Sequence, residues 1–318
     1  MKATMVIRQA VRPWILKSNF RILIGVSGGA DSMALAIGTL LEAKSAGIEA
    51  VAIIIDHQLQ VGSHQVAIDT REKLLGLGFE TVEVVPVDVV ISDGMESSAR
   101  RARFLAFEAA IAKYQPDFFF LAHTKNDQAE SVLLGLARGS GTRSLSGIAQ
   151  VNGEFIRPLL EVDREITELA CQENGIAPWE DPHNSDPHYA RVRVRKQILP
   201  LLESTLGPGI VDALARSSTI LREDADALDL LANQIYASVD PANLDVEELE
   251  RLPKALRIRL LRLSIYGLGA PDGSLSADHL APVEALITNW HGQGEISLPG
   301  GVKVERISGR LSLSHQSS

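Results

Sequence analysis

The stretch from residue 22 to residue 36, ILIGVSGGADSMALA, constrains the fold of this chain more than any other. Its first five residues are an apolar run typical of a buried parallel strand. Apolar residues from Met33 onward recur at helical spacing, so Ser27 to Ser32 form a turn between strand and helix. Two glycines there let backbone N–H groups face inward, and the helix N-terminus adds unpaired N–H groups. The sequence therefore predicts an α/β fold with a doubly wound, mostly parallel sheet and a phosphate-sized anion site at this turn.

Missing residues exclude two common phosphate loops. The dinucleotide fingerprint needs three spaced glycines, and the mononucleotide P-loop needs a Lys followed by Ser or Thr. The turn has neither, and instead resembles the pyrophosphate loop of the ATP pyrophosphatases, which cleave ATP between its α and β phosphates. The resemblance implies ATP binding by six residues: Ser27, Gly28, Gly29, Ala30, Asp31 and Ser32. Without a loop lysine, Mg²⁺ would neutralise the phosphates, with Asp31 as its candidate ligand. A plain turn between strand and helix is the alternative.

Composition limits the class of protein. A chain of 318 residues, 45% of them hydrophobic, predicts about two domains with buried cores. It has no apolar run near the ~20 residues of a membrane span and no secretory signal, so we expect a cytoplasmic protein without a membrane partner. The single cysteine, Cys171, excludes a disulfide framework and a cysteine-rich metal site. The net charge of −9 argues against non-specific coating of nucleic acid, but a local RNA site at the basic cluster 191–196 stays open.

Polar side chains follow two of the other predicted strands. Three further apolar runs predict strands, at 48–56, 81–90 and 117–124. The first ends in Asp56 and is followed by His57, and the last contains His123 near its end. Because ligands of doubly wound folds bind at the carboxyl ends of the strands, we expect Asp56 and His57 near the sugar or base of a nucleotide. A capping role for Asp56 is the alternative.

A carboxylate pair opens the helix predicted to begin near Lys125. Asp127 and Glu130 are three residues apart, so they share the first turn and one face, directed back at the strand ends. Together with His123 they favour a cation or amine site. Complementing the helix dipole is the alternative role for two acidic residues there.

Arginines recur in two other segments. Arg100 and Arg103 share one face of a helix predicted to run from residue 94 to about residue 113. Arg191, Arg193 and Arg195 alternate, so they lie on one side of the segment if it is extended and spread around it if it is helical. A solvated face is the alternative for Arg100 and Arg103.

Several motifs occur in a fixed order along residues 20–202. After the SGGADS loop and Asp56-His57, they are the segment 96–104, HTKNDQAES and RGSGTRSL within 123–145, IRPLL at 156–160, and WEDPHN at 179–184 with the arginines up to residue 200. This set resembles the tRNA(Ile)-lysidine synthetases. The loop alone indicates only the superfamily, whereas RGSG, RPLL and WEDPxN with its downstream arginines are specific to this family.

The resemblance implies a two-step ligation on an isoleucine tRNA with a CAU anticodon. ATP adenylates the C2 oxygen of the wobble cytidine with release of pyrophosphate, and the ε-amine of free lysine then displaces AMP. Acidic residues suit the lysine cation, yet its attacking amine, of pKa ~10.4, must first lose a proton. The implied ligands are ATP, Mg²⁺, lysine and the tRNA, and a homodimer is left open.

The same resemblance assigns six residues to catalysis: Asp31, Arg103, His123, Asp127, Glu130 and Arg195. Asp127 and Glu130 would bind or deprotonate lysine, and Arg103 would stabilise charge beside the α-phosphate. Asp31 would hold Mg²⁺ or order the attack. At least one of the arginines at 191–195 should reach the active site or the tRNA phosphates.

Four positions depart from the family pattern. Asn126 stands where the first of two acidic residues is usual, Gln58 and Gln60 replace a Gly and an Arg, and His183 replaces a Ser. These changes bear on local contacts rather than on the reaction.

The composition shifts after Gly209, so we predict a catalytic domain at 1–209 and a smaller, mainly helical domain at 210–318. Helices are predicted at 210–236, 244–266 and 276–291, and alternation around glycines at 295–314 predicts short antiparallel strands. The second domain has no catalytic constellation, and its predicted task is tRNA binding. Five residues form its predicted positive face: Arg251, Lys254, Arg257, Arg259 and Arg262. A solvated helix face is the alternative.

Two other functions remain open from the sequence. Another ATP pyrophosphatase, such as a tRNA thiolation enzyme or an amidotransferase-linked synthetase, would share the loop, although thiolation usually uses cysteines. A non-catalytic nucleotide-binding module would keep residues 27–32 but would not need Asp127 and Glu130 on one face.

Overall fold

The computed structural model describes residues 2–58, 62–90, 94–139, 141–182 and 186–315. The chain divides into two compact units, Met1–Leu221 and Arg222–Ser318. The domain boundary proposed after residue 209 stays a prediction. The long helix expected after it is confirmed as Ile210–Tyr236.

A mostly parallel sheet forms the centre of the first unit. Its strands are β1 (Arg21–Val26), β2 (Glu49–Asp56), β3 (Thr81–Pro86), β4 (Phe118–Phe120), β5 (Val151–Asn152) and β6 (Phe155–Ile156). They are arranged in the order β3-β2-β1-β4-β6-β5, and neighbours are parallel except for the antiparallel pair β5 and β6. The predicted fold class is confirmed. The third and fourth strands are shorter than predicted, since the chain leaves the sheet after Pro86 and after Phe120.

Helices flank this sheet and connect its strands. They are α1 (Ala3–Ile15), α2 (Ala30–Ala46), α3 (Ser63–Leu77), α4 (Met95–Tyr114), α5 (Lys125–Ala137), α6 (Thr142–Leu145), α7 (Arg164–Glu173), α8 (Ala190–Arg193), α9 (Leu199–Leu206) and α10 (Ile210–Tyr236). A π-helical turn, Val194–Ile198, joins α8 to α9. Across the described ranges, no single helix has the length and apolar character to cross a membrane. Two helical segments joined by a sharp bend, 190–206 and 210–236, meet both criteria only when they are counted together.

Both faces of the sheet are buried, which explains its uninterrupted apolar strands. In β1, Ile22, Ile24 and Val26 pack on the face covered by α1, α2 and α7, while Leu23 packs on the face covered by α4. Cys171 of α7 is fully buried on the first face. Burial raises the pKa of its thiol to about 11, so this cysteine is a packing residue.

The register of the central strands brings their carboxyl ends to one edge. Val26 of β1 lies beside Ile54 of β2, and Ile24 lies beside Phe120 of β4. The segments that follow β1, β2 and β4 therefore leave the sheet at the same edge, which is where ligands of such folds bind.

The second unit packs helices on an antiparallel sheet. Its elements after α10 are β7 (Asn243–Asp245), α11 (Val246–Arg251), α12 (Lys254–Gly267), α13 (Ala277–Thr288), β8 (Ile296–Ser297), β9 (Val302–Ile307) and β10 (Arg310–His315). The strand order is β7-β10-β9-β8. Alternate residues Val302, Val304, Leu311 and Leu313 are buried in its core, so the antiparallel strands predicted from alternation are confirmed.

The prediction of a single helix at 244–266 is wrong. Its first residues pair with β10 as strand β7, and Asp245 then caps α11 by accepting two backbone N–H groups at 3.0 and 3.2 Å. Leu252 is extended and Pro253 precedes α12. Proline has no N–H to donate and disfavours the helical conformation of the residue before it, so the helix ends there.

The predicted positive face on these helices is only partly present. Arg257 is 8% exposed and donates to Glu284 at 3.0 Å and to the backbone carbonyls of Leu249 and Leu252 at 3.2 Å, so its assignment to a surface is wrong. Lys254 pairs with the same carboxylate at 3.0 Å, and Arg259 pairs with Asp229 at 2.6 Å. Arg257 therefore neutralises buried charge inside the unit.

Candidate active site

The predicted phosphate loop lies between β1 and α2. Gly28 has a φ of +86°, a left-handed conformation that favours glycine, and a Cβ at this position would lie 2.6 Å from Oγ1 of Thr70. The hydroxyl of Ser32 accepts the Ser27 N–H at 3.1 Å and donates to the Gly29 carbonyl at 2.9 Å. These bonds brace the loop at the start of α2, where the first helical N–H groups have no partner within the helix. The backbone thus has the form that anion binding requires.

The WEDP motif contacts this loop. The N–H of Trp179 donates to the Gly28 carbonyl at 2.9 Å, and Nζ of Lys73 donates to the Ala177 carbonyl at 2.8 Å. A segment far along the chain is therefore fixed against the loop and against α3.

Two carboxylates of α5 are buried beside the end of β4. The helix start predicted near Lys125 is confirmed, with Thr124 as the N-cap. The Asp127 carboxylate accepts the Thr124 N–H at 2.8 Å and its hydroxyl at 3.0 Å, as in a capping box. Glu130 is fully buried one turn later. The cap fixes the direction of both carboxylates.

One guanidinium joins these carboxylates to the phosphate loop. Arg164, the first residue of α7, places Nε 3.3 Å from Asp31, Nη2 3.0 Å from Asp127 and Nη1 3.4 Å from Glu130. The hydroxyl of Thr167 lies 2.5 Å from the other oxygen of Asp31. Three predicted site residues from two helices therefore converge on one side chain.

The arginines after residue 190 take two directions. Because the segment is helical through α8 and the π-helical turn, residues four apart share a face. Arg195 donates to both oxygens of Glu130 at 2.6 and 3.0 Å, and Nε of Arg191 lies 3.5 Å from the same carboxylate. Arg193 instead donates to two backbone carbonyls of the preceding loop. The helical alternative left open by the sequence is the one observed.

The surroundings push the pKa values of two carboxyl groups in opposite directions. Burial alone would raise the pKa of Asp127, but the charge of Arg164 and the Thr124 N–H hold it below its ordinary value. Burial raises the pKa of Asp31, even though Arg164 and Thr167 oppose it. Asp127 is therefore a firmly ionised anion, whereas Asp31 is the carboxylate that gains more from an added cation.

His123 follows β4 at the same edge. Its Nδ1 is buried and makes no hydrogen bond to any residue the structure describes. Burial lowers its pKa to about 4; Asp127 opposes this shift, and the charges of Arg157 and Arg103 add to it. The ring is therefore neutral at pH 7, a hydrogen-bonding group rather than a cation.

This buried histidine predicts a pH dependence of stability. The unfolded chain binds a proton on the ring near pH 6.5 and the folded protein only near pH 4, so stability is lost as the pH falls between these values. The loss is at most about 3 kcal/mol. His123→Gln should flatten the fall of the thermal midpoint between pH 6.5 and 4.5, whereas His188→Gln, which changes a 91% exposed side chain, should not. Identical slopes for both variants and the wild type would contradict this origin.

Asp56 ends β2 at the same edge, and His57 follows it. The Asp56 carboxylate accepts the Ser63 hydroxyl at 2.9 Å and the Gln58 N–H at 3.1 Å, and such bonds outweigh burial and lower its pKa. Burial and the charge of Arg103 lower the pKa of His57. The charge of Arg103 on α4 thus lowers the pKa of both histidines of this edge, His57 and His123. Asp56 closes its own turn, and its contact with a nucleotide stays a prediction.

Two departures from the family pattern have visible consequences. Gln58, where a Gly is usual, has a φ of +53°, a conformation that costs a non-glycine residue roughly 1 kcal/mol. Oδ1 of Asn126 accepts the N–H of Arg164 at 3.0 Å. The amide therefore anchors the start of α7 and positions Arg164. Gln60 and His183 lie outside the described residues.

Asp31 is suited to be the protein ligand of a magnesium ion. The described parts of the chain contain no group of three or more His, Cys, Asp or Glu side chains placed to hold a metal. Mg²⁺ commonly takes one or two carboxylates and completes its coordination with water and substrate phosphates. Asp31 lies in the first turn of α2 beside the loop, and a cation there would stabilise its charged form against burial.

Sequence reasoning missed Arg164 and Thr167. One signal was present: Arg164 lies in the first turn of α7, where a cation opposes the helix dipole. Such a residue needs compensating carboxylates, but the sequence does not say which ones.

Two family models match the chain. A model described as a PP-loop domain matches residues 2–202, and one described as a TilS substrate binding domain matches residues 244–312. The first covers the sheet, the loop and the carboxylate cluster formed by Asp31, Asp127 and Glu130. The second covers most of β7, helices α11 to α13, strands β8 and β9, and the first half of β10.

Several curated proteins are similar over most of their length. The tRNA(Ile)-lysidine synthase of Streptomyces coelicolor is 48% identical over 295 residues, which cover 91% of this chain and 84% of that protein. That of Thermobifida fusca is 44% identical over 310 residues, 97% and 95% of the two chains. That of Leifsonia xyli is 46% identical over 309 residues, 94% and 91%.

A solved structure shares the fold. The U34-tRNA thiolase NcsA from Methanococcus maripaludis superposes with a TM-score of 0.58 at 20% identity, covering 70% of this chain and 78% of that one. At this identity the similarity concerns the fold alone.

Proposed function

The chain belongs to the tRNA(Ile)-lysidine synthase family, and on that premise we propose that the loop and the carboxylate cluster form one active site for two successive steps. The function of the chain is lysidine formation on tRNA(Ile), with ATP as a substrate.

One observation carries the proposal. The guanidinium of Arg164 lies within 3.4 Å of Asp31, beside the phosphate loop, and of both Asp127 and Glu130 on α5. An ATP bound at the loop and an amine bound at the α5 carboxylates would therefore be neighbours. A ligase that activates one substrate with ATP and then attacks it with an amine needs that proximity.

In the first step, the wobble cytidine of a CAU anticodon attacks ATP through its C2 oxygen at the α-phosphate, and pyrophosphate leaves. Backbone N–H groups of residues 27–32 and the start of α2 would hold the phosphates. Asp31 would hold Mg²⁺, which neutralises phosphate charge when bound. Arg103 would stabilise the charge that develops at the α-phosphate.

In the second step, the ε-amine of free lysine attacks C2 of the adenylated cytidine, and AMP leaves. Asp127 suits the binding of the ammonium form because its lowered pKa keeps it ionised. Glu130 lies one turn away on the same face. Removal of the amine from water lowers its pKa and so favours the neutral, attacking form.

The arginines set the charge of this site. Arg164, Arg195 and Arg191 face Asp31, Asp127 and Glu130, so positive and negative groups are matched before any ligand binds. A lysine cation must then compete with these arginines, or they must move toward the phosphates of the bound adenylate. His123, being neutral, would hydrogen-bond the nucleotide without adding charge.

The second unit would bind the tRNA, since residues 244–312 match a substrate binding domain. We place the reaction in the cytoplasm, where tRNA, ATP and free lysine occur together. A homodimer is not needed by any step proposed here.

The direct test is incorporation of labelled lysine into an unmodified isoleucine tRNA transcript with a CAU anticodon, with ATP and Mg²⁺ present. We expect label on this transcript, release of AMP, and no label on a methionine tRNA that also has a CAU anticodon. Absence of label from both, with ATP bound, would overturn the proposal in favour of another ATP pyrophosphatase reaction.

Asp127→Asn separates an enzyme from a nucleotide-binding module. The change keeps the shape of the side chain but removes the anion that faces Arg164 and the proposed ammonium site. We expect ATP affinity near the wild-type value and loss of lysine transfer by at least ~100-fold. Unchanged transfer would remove Asp127 from the mechanism.

A further inference from the structure

The backbone of Arg164 is fixed at the start of α7. Its N–H donates to Oδ1 of Asn126 at 3.0 Å. The residue before it, Asp163, has its two carboxylate oxygens 3.0 and 3.1 Å from Nζ of Lys125. Because these bonds hold the backbone and not the guanidinium, the guanidinium can change partners while the start of α7 stays against α5.

The guanidinium of Arg164 is bound less firmly than that of Arg195. It contacts three carboxylates through three different nitrogens, at 3.0 to 3.4 Å, so each carboxylate receives a single bond. Arg195 instead forms a fork with Glu130, with bonds of 2.6 and 3.0 Å. Paired bonds from a guanidinium to one carboxylate are the stronger and more directional arrangement. Of these two arginines, Arg164 is therefore the one that a ligand displaces more easily.

Arg164 also connects the two places where cations are proposed to bind. Its Nε lies 3.3 Å from Asp31, the proposed magnesium ligand, and its Nη2 lies 3.0 Å from Asp127, the proposed partner of the lysine ammonium. The hydroxyl of Thr167 lies 2.5 Å from the other oxygen of Asp31, so this carboxylate is held in place beside the phosphate loop. A cation at Asp31 would repel the guanidinium, and phosphates at the loop would attract it. Since one planar group makes both contacts, its displacement from Asp31 also weakens its contact with Asp127.

We infer that Arg164 occupies the ammonium site at Asp127 until ATP and Mg²⁺ bind, and that their binding frees this carboxylate for lysine. The inference rests on the proposed function, which assigns ATP to the loop and lysine to Asp127. Arg164 is then a positioning residue, because it acts through Asp31 and Asp127. Two ligands that displace the same charge are coupled, and the coupling is reciprocal: each raises the affinity of the protein for the other by the same factor.

The test measures the Kd of free lysine by calorimetry without tRNA, so that no cytidine is present to react. Each protein is titrated alone and with saturating Mg²⁺ and an ATP analogue that has a methylene group between its α and β phosphates. We expect the wild-type protein to bind lysine at least ~10-fold more tightly with the analogue, and the analogue to bind more tightly by the same factor with lysine. Arg164→Met removes the charge but keeps a long side chain. It should bind lysine equally well in both states, with a Kd close to that of the nucleotide-bound wild type.

Arg195→Met is the matched control. It also removes one guanidinium that faces Glu130 and Asp127, at 2.6 and 3.5 Å, whereas Arg164 is the arginine that the structure shows in contact with Asp31. This variant should bind lysine more tightly in both states and keep the difference between them. Arg164→Lys keeps a cation at the site and should show a smaller difference than the wild type, and it tests the same coupling in case Arg164→Met does not fold.

Separate results would overturn the inference and the proposed function. Equal lysine affinity of the wild-type protein in the two states, or no lysine binding in either state while lysine transfer to the tRNA transcript proceeds, would show that the nucleotide does not free the site. A full difference in Arg164→Met would assign the coupling to direct attraction between lysine and the phosphates. Loss of the difference in Arg195→Met as well would reduce it to an effect of net charge. A wild-type protein that neither binds lysine nor transfers it would refute the proposed function itself.

Discussion

Glu130→Gln is expected to lower the rate of lysidine formation at least ~100-fold, the size of effect seen when a positioned acidic group is removed from a catalytic site. Glu130 is fully buried, accepts two hydrogen bonds from Arg195 and faces Arg164 at 3.4 Å. Glutamine keeps the shape but presents an amide to one guanidinium and leaves positive charge without its counterion. Folding stability should also fall, by about 3 kcal/mol. The measurement is lysine transfer at saturating ATP together with a denaturant titration.

Glu42→Gln is the matched control. Glu42 is 6% exposed and accepts hydrogen bonds from Arg8 and Arg12 at 2.6 to 3.1 Å, so it is also a buried carboxylate between two arginines. It joins α1 to α2 away from the carboxylate cluster. We expect reduced stability with near wild-type transfer. Similar losses of transfer in both variants, in proportion to their stability, would reduce the role of Glu130 to packing.

Gly28→Ala is expected to weaken ATP binding at least about tenfold. The φ of +86° costs an alanine about 1 kcal/mol. The added Cβ would also lie 2.6 Å from Oγ1 of the buried Thr70, so the loop or α3 must move. Because the Gly28 carbonyl accepts the N–H of Trp179, that displacement would reach the WEDP segment. ATP affinity is measured by calorimetry at a temperature where the variant is folded.

Gly47→Ala separates backbone strain from the clash. Gly47 has a φ of +71° with no atom within 4 Å of an added Cβ. An alanine there therefore has the same backbone strain as at Gly28 but no clash. We expect a modest loss of stability and unchanged ATP affinity. Gly28→Ala combined with Thr70→Ala should recover part of the lost affinity, because the clashing hydroxyl is gone. No recovery would mean that the strain or a direct contact of Gly28 with ATP decides the result.

Local pattern was enough to predict most of the first unit. The run at 22–26 is apolar throughout because β1 is covered on both faces, and the glycines after it allow the turn that α2 requires. The start of α5, predicted near Lys125, is stabilised by Thr124 and Asp127, which hydrogen-bond to each other within four residues. These features depend on residues that are close together in the sequence, so they can be predicted from the sequence alone.

Prediction failed where a partner came from far along the chain. Arg257 was placed on a surface because its segment is rich in arginines, yet it is buried and hydrogen-bonded to Glu284 and to the Leu249 carbonyl at the end of α11. The helix at 244–266 was too long because the propensity of its leucines and arginines hid the stop at Pro253 and the pairing of β7 with β10.

The sequence by itself determined that this protein has a phosphate loop, a doubly wound sheet and a carboxylate pair on the first turn of α5, because periodicity, glycine and capping act over a few residues. Only the tertiary structure decided that Asp31, Asp127 and Glu130 meet at Arg164, with Asn126 holding the start of α7. It also decided that Arg195 and Arg191 turn to the site while Arg193 does not. The physical reason is that the interaction between two charges depends on the distance between them in space. That distance is set by how the strands and helices pack.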